Sequence, residues 1–250
     1  MASPTHLRNA PITEAVIDLR VRTATDLNVQ RFAELGTKIG QQYGDAKAIN
    51  LFELGIQQLP GAPLEGRGVL HGCIGYRYES PDGKYIAQFR TDGFTLSRLA
   101  PYTTWEEIFA EASRLYRFYV EVGSVEEVIR VATRYINRLS LPQAEAKNLS
   151  LFLTRPPKTP PKVSALLTGF LTQIQFYDLE TQISGTITQM VQPQAELPGK
   201  ISVILDLDAF EQKPSSPDPD QVLERFADLR IVKNQYFFAS ITDKTVALYK

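Results

Sequence analysis

A chain of 250 residues with 43% apolar and 22% charged side chains can build one large domain or two modest ones, and it is too rich in core-forming residues to be an extended disordered segment. The formal net charge of −1 excludes a global electrostatic pull towards nucleic acid or an anionic membrane, so any such binding would need a local patch. The single cysteine, Cys73, excludes an internal disulfide and suits a reducing compartment. Met1 to His6 lacks the apolar stretch of a signal peptide, and no apolar run approaches the roughly 20 residues a bilayer requires; a cytoplasmic protein is expected.

From Glu14 to Arg22 apolar and polar residues alternate, with Ile17, Leu19 and Val21 on one side and Asp18, Arg20 and Arg22 on the other, the period of a half-buried strand. Asp26 is placed to cap a helix running to about Tyr43, and the Gly- and Pro-rich stretch 55–68 reads as a loop. Val69–Tyr78, Lys84–Arg90 and Phe94–Leu99 form an antiparallel meander, because Ser80-Pro81-Asp82-Gly83 and Thr91-Asp92-Gly93 supply the turn chemistry between them. Thr104-Trp105-Glu106-Glu107 is a capping box. It opens a helix whose stripe of Trp105, Ile108, Phe109, Ala112, Leu115, Tyr116, Tyr119 and Val120 calls for a sheet to pack on, and Gly123 is expected to end it. Period 2 returns from Glu127 to Leu141.

Residues 155–162 carry four prolines and read as a stiff linker. The expected architecture is α+β, in two similar halves. Residues 1–154 hold a strand, a helix, the meander, a helix and a strand. Residues 163–250 hold strands near 169–177, 180–191 and 200–209, a helix through Val222, Phe226, Leu229, Val232 and Phe237, and a short tail, Thr245 to Tyr249, in strand form. Whether the halves share one sheet or form two is left open by the pattern.

Five ordered segments resemble a known family. They are Asn9-Ala10-Pro11-Ile12 with Glu14 to Asp18, Leu99 to Glu107, Arg134 to Arg138, Ile204 to Asp208, and Phe237 to Ser240 with Thr242 to Lys244. Together they resemble the prokaryotic family of "sporadically distributed" proteins of similar length, whose function is uncharacterised. The resemblance carries no catalytic residues. A patchy distribution implies mobile genes, such as defence or toxin–antitoxin loci, and a binding or regulatory protein that engages a protein partner.

No phosphate loop, metal-ligand cluster or catalytic constellation stands in the sequence, so no cofactor, metal or membrane is expected, and the oligomeric state is not legible. Two groups are candidate binding residues. Arg130, Arg134 and Arg138 share one face of a strand at steps of roughly 13 Å, a ladder that could grip the phosphates of a nucleic acid or nucleotide, be paired with carboxylates, or meet a protein partner. Asp206 and Asp208 share a strand face about 6.6 Å apart, a spacing that suits Mg²⁺ and phosphoryl chemistry, a partnership with the arginines, or simple exposure. Glu14 and Asp18 are placed to pair Arg20 or Arg22, or another strand. His71 and Cys73 lie on one strand face, where an inert thiol is the commoner outcome than a nucleophile. The rings of Tyr76, Tyr78, Tyr85, Phe89 and Phe94, interleaved with basic residues, suit base stacking or the covering of a helix.

Overall fold

The alternation read in the first strand is realised in β1 (Ile12–Thr23), where Ala15, Ile17, Leu19 and Val21 are buried and the residues between them are not. The computed structural model describes residues 2–57, 65–145, 148–158, 169–192 and 199–250, with backbone alone at 41, 53–57 and 65–71. Around β1 the chain builds β2 (Lys47–Gln57), β3 (Glu65–Glu79), β4 (Tyr85–Arg90), β5 (Gly93–Leu99), β6 (Val125–Pro142), β7 (Leu171–Tyr177), β8 (Ser184–Gln192) and β9 (Lys200–Glu211). These nine strands form one antiparallel sheet in the order β2-β3-β4-β5-β1-β6-β9-β8-β7. Strands from before and after the proline-rich segment meet where β6 pairs β9, from Val131 opposite Glu211 to Pro142 opposite Lys200, so the sheet runs unbroken across the chain.

Helices cover one face. In α2 (Trp105–Gly123), Thr104 accepts from the Glu107 amide at 3.2 Å, while the Glu107 carboxylate takes the Thr103 hydroxyl at 2.5 Å; only one half of the capping box is made. Helix α2 runs through Gly123, and the left-handed residue that closes it is Ser124 (φ 47°). Its buried stripe, Ile108, Ala112, Leu115, Tyr116 and Tyr119, packs on Ile17, Leu19, Phe89, Phe94 and Leu96. Buried tyrosines need partners for their hydroxyls. Tyr119 donates to the Arg90 carbonyl at 2.8 Å, and Tyr78 donates to the Phe32 carbonyl at 2.7 Å. The C-terminal helix is broken into α3 (Pro219–Glu224), capped by Asp218, and α4 (Phe226–Ser240). Phe237 and Phe238 of α4 close a second cluster with Leu139, Leu141, Val203, Leu205 and Leu207.

Three expectations are corrected. The helix expected from Asp26 to Tyr43 is two short 3₁₀ turns, Val29–Phe32 and Gly40–Gln42, around one turn of α-helix, α1 (Gly36–Ile39). Asn28 caps it in place of Asp26, and Gly40 at φ 75° breaks it, a backbone that L residues rarely adopt. Part of the loop expected at 55–68 is strand, since β2 runs to Gln57 and β3 begins at Glu65; the remainder, 58–64, lies outside the described residues, as do 159–162 of the expected linker. The tail at 245–249 is no strand: Thr242 accepts from the Thr245 amide and opens a short helix, α5 (Asp243–Ala247).

Gly93 sits where a Cβ would fall 2.2 Å from the Leu19 carbonyl oxygen, an atom of the central strand that cannot move alone. Gly93→Ala is expected to cost about 2–3 kcal/mol by forcing β5 from β1. Thr104→Ala, losing one cap bond, should cost only about 1 kcal/mol; chemical denaturation of the two variants side by side checks the ranking.

Candidate functional site

The face opposite the helices carries no helix among the described residues, and strand register places its side chains in rows. One row reads Arg77, Gln88, Thr95, Asp18, Ala132, Phe210, Ser184 and Tyr177; the next reads Glu79, Ile86, Ser97, Val16, Arg134, Asp208, Thr186 and Gln175. Asp18 is the hub. Its carboxylate accepts from Thr95 Oγ1 at 2.6 Å, Arg130 Nη1 at 3.1 Å and Arg20 Nε at 3.2 Å, with Arg90 Nη2 at 3.7 Å, and its side chain is only 13% exposed. Arg20 and Arg90 both continue to Asp92, at 2.7 and 2.9 Å. Burial opposes the charge on Asp92, yet its carboxyl lies below the usual range because Arg90 and Arg20 outweigh that cost. Gly75 and Gly93 flank Arg90 in its row, and a Cβ on either would stand within 3.0–3.2 Å of the Arg90 or Arg20 side chain. Their bareness lets the guanidinium groups lie flat on the sheet.

The candidate residues meet here. Arg134 grips Asp206 through two nitrogens, at 2.9 and 2.5 Å, and Arg130 joins Asp208 at 2.8 Å while lying 4.5 Å over the Phe210 ring. The Asp208 carboxyl is pushed up, first by burial and then by the neighbouring charges of Asp18 and Asp206, against the pull of Arg130 and Arg134. A metal between Asp206 and Asp208 would have to displace both guanidinium groups. Among the described residues no group of three or more His, Cys, Asp or Glu side chains is placed to hold a metal. Arg138 differs from the other two. It is exposed, and among the described residues it has no ion-pair partner. Arg22 pairs with Glu127. The His71 side chain lies outside the description, and the half-buried Cys73 thiol donates to the Gly75 carbonyl at 3.3 Å. The rings of Tyr78, Phe89 and Phe94 are buried against α2 and the turn at Phe32, so stacking with bases is closed to them.

Sequence reasoning missed a second site, on the helix side. The segment Pro4–Ile12 crosses over the start of α2 and the middle of α4, anchored where the Ala2 amide donates to the carbonyls of Phe238 and Ile241 and the Asn9 amide donates to Tyr249. Beneath it lies a cavity of about 540 Å³. Lys233 of α4 projects into it; its Nζ stands 3.6 Å from the centre of the Tyr135 ring and donates to Asn234 Oδ1 at 2.7 Å, with no carboxylate in ion-pair range among the described residues. The Tyr135 hydroxyl meets that of Tyr102 at 3.2 Å. Arg230, one turn before Lys233, binds Glu106 at 2.9 Å and lies over Trp105. Burial, with the like charge of Arg230 second, lowers the Lys233 ammonium to about 7. Burial also raises both tyrosines, Tyr135 most.

No protein-family model matches the chain, and no curated protein matches it. No helix among the described residues is long and apolar enough to cross a membrane.

Three outcomes follow from this electrostatic layout. Asp18→Ala takes one carboxylate from three arginines that each keep a second, Asp92 for Arg20 and Arg90 and Asp208 for Arg130, and should cost about 2 kcal/mol. Arg134→Ala removes a half-exposed pair and should cost under about 1 kcal/mol in a parallel urea titration. Lys233 binds its proton more weakly in the fold than in the unfolded chain, so stability should rise with pH from about 7 towards the ordinary lysine range. Lys233→Met should flatten that rise, as melting curves between pH 6 and 10 would show.

Proposed function

We propose that the protein is a binding or regulatory protein that docks a protein partner on its uncovered sheet face. The observation that supports this most directly is the neutralisation of that face: Arg130 and Arg134 are matched by Asp18, Asp208 and Asp206, which removes the positive potential a phosphate backbone would need. What is left is a mixture of apolar and paired polar side chains, the composition of a protein interface. One row runs from Arg138 through Ile204 and Met190 to Leu171, an apolar stripe that ends on an arginine free of carboxylates among the described residues. Leu171 and Tyr177, at the outer strand, are 66% and 56% exposed. The partner that fits presents an apolar ridge with a carboxylate opposite Arg138. The resemblance to a sporadically distributed family supports a partner encoded in the same mobile locus. Nucleic-acid binding has Arg138 as its one uncompensated contact among the three arginines, and Mg²⁺ chemistry at Asp206 and Asp208 would first have to break two ion pairs.

A photo-crosslinking residue placed at Leu171 or Met190, in cells that make the protein natively, should give one discrete protein adduct. The adduct should be lost on Ile204→Glu and weakened by Arg138→Glu. The same residue at Arg117, on the helix side, should give none. Absence of an adduct from both sheet positions, or the same adduct from position 117, would refute the reading.

A further inference from the structure

On the opposite side of the sheet, and independent of the docking face, the cavity under the N-terminal segment gathers charge in an unusual balance. Lys233 and Arg230 reach it from α4, Arg8 and His6 border it from the crossing segment, and Glu106 is the sole carboxylate among its lining residues, already spent on Arg230. The remaining walls mix rings and aliphatic side chains, Trp105, Phe237, Phe238 and Leu7 among them, with neutral polar groups such as Asn137 and Asn234. A cation even half-buried among apolar walls, as Lys233 is, is normally paired or replaced by an apolar residue, because desolvating it is costly. Lys233 is neither paired nor replaced: its ammonium rests on the Tyr135 face and on one amide oxygen, and one of its three donors has no partner there. The volume falls within the range of small-molecule sites, and apolar walls around a few convergent polar groups are their usual lining.

We propose that this cavity binds a small organic anion, a carboxylate or phosphate carried on an apolar body, with Lys233 as its principal contact and Arg230, Arg8 and the Tyr102 hydroxyl beside it. The anion supplies the counter-charge that the fold withholds, so binding draws a proton onto Lys233. The groups that face this amine are Arg230 on α4, Glu106 and Tyr102 before and within the first turn of α2, Tyr135 on β6, and His6 and Arg8 on the crossing segment. Glu106 lies below the usual carboxylate range and both tyrosines lie above theirs, so apart from the His6 imidazole it is Lys233 whose charge changes between pH 7 and 8.5.

Calorimetric titration of the full chain with benzoate, and separately with inorganic phosphate, tests this. One saturable site is expected at pH 6. For benzoate, whose own charge is constant over the range, affinity should fall about 30-fold by pH 8.5 in the wild type and in His6→Gln alike, with proton uptake visible as a dependence of the heat on the buffer. Preference for benzoate assigns a carboxylate on an apolar body, and preference for phosphate assigns a phosphate group. Lys233→Met should lose more than tenfold at pH 6. Ala10→Trp, which adds bulk at a lining position of the crossing segment, should block binding by a second route. No saturable binding of either probe at pH 6, binding that persists in both variants, or benzoate affinity indifferent to pH would overturn the proposal.

Discussion

Nine strands in a single sheet present two faces, and among the described residues the helices reach only one. Every other property follows from how the second face is made compatible with water on one side and a hydrogen-bonded backbone on the other. An apolar second face would aggregate, and a uniformly charged one would repel itself. The chain interleaves the two. Valine and isoleucine fill the rows between ion pairs, and the ion pairs converge on Asp18 at the centre, where its near-buried carboxylate stands against Arg20, Arg90 and Arg130. Guanidinium suits this position better than ammonium, because a flat fork can lie on the sheet and bridge two strands at once.

The helix side solves the opposite problem. Aromatic side chains fill most of it, and their hydroxyls are tied to carbonyls at Phe32 and Arg90. Between the first turn of α2 and the middle of α4 the fit is incomplete, and the chain spans the gap with its N-terminal segment. The gap holds a lysine where a leucine would pack without a desolvation penalty. Stability therefore rises as that lysine loses its proton, the signature of a group kept against the interest of the fold.

Much of this was legible in sequence wherever local chemistry acts alone. β1 declared itself by alternation, the β3–β5 meander by two glycine turns, and α2 by the Thr104 cap. β2 was missed because it is an edge strand whose Leu51 and Phe52 stay exposed, so it lacks the alternation that burial imposes. Periodicity alone extends a helix from Asp26 to Tyr43, yet the segment turns at 33–35 and again at Gly40, whose positive φ ends its one α-helical turn. The tail misled for a related reason: Thr245 and Val246 favour strands, yet the Thr242 cap and a place in the core decide for helix. For the candidate residues, alternation put Arg130, Arg134 and Arg138 on one side, but their fates diverge according to β9 and β1, strands the sequence could not align. Lys233 gave no signal. A lysine on an amphipathic helix reads as surface until β6 brings the Tyr135 ring beneath it.

That dependence on β6 carries a structural consequence. Its odd-numbered residues 135, 137 and 139 face the helices and its even-numbered 130, 134 and 138 face away, so a slip of one residue against β1 or β9 would bury three arginines and expose Tyr135. Hydrophobic alternation penalises such a slip on the helix side. The paired carboxylates penalise it on the other, since Asp18, Asp206 and Asp208 would each lose a guanidinium partner together. Individually the exposed pairs contribute little to stability. Collectively they favour one register of a long, central, two-sided pairing, the one in which Arg130 and Arg134 meet their carboxylates, and it is this register that brings Tyr135 under Lys233 on one face while it leaves Arg138 without an ion-pair partner among the described residues on the other.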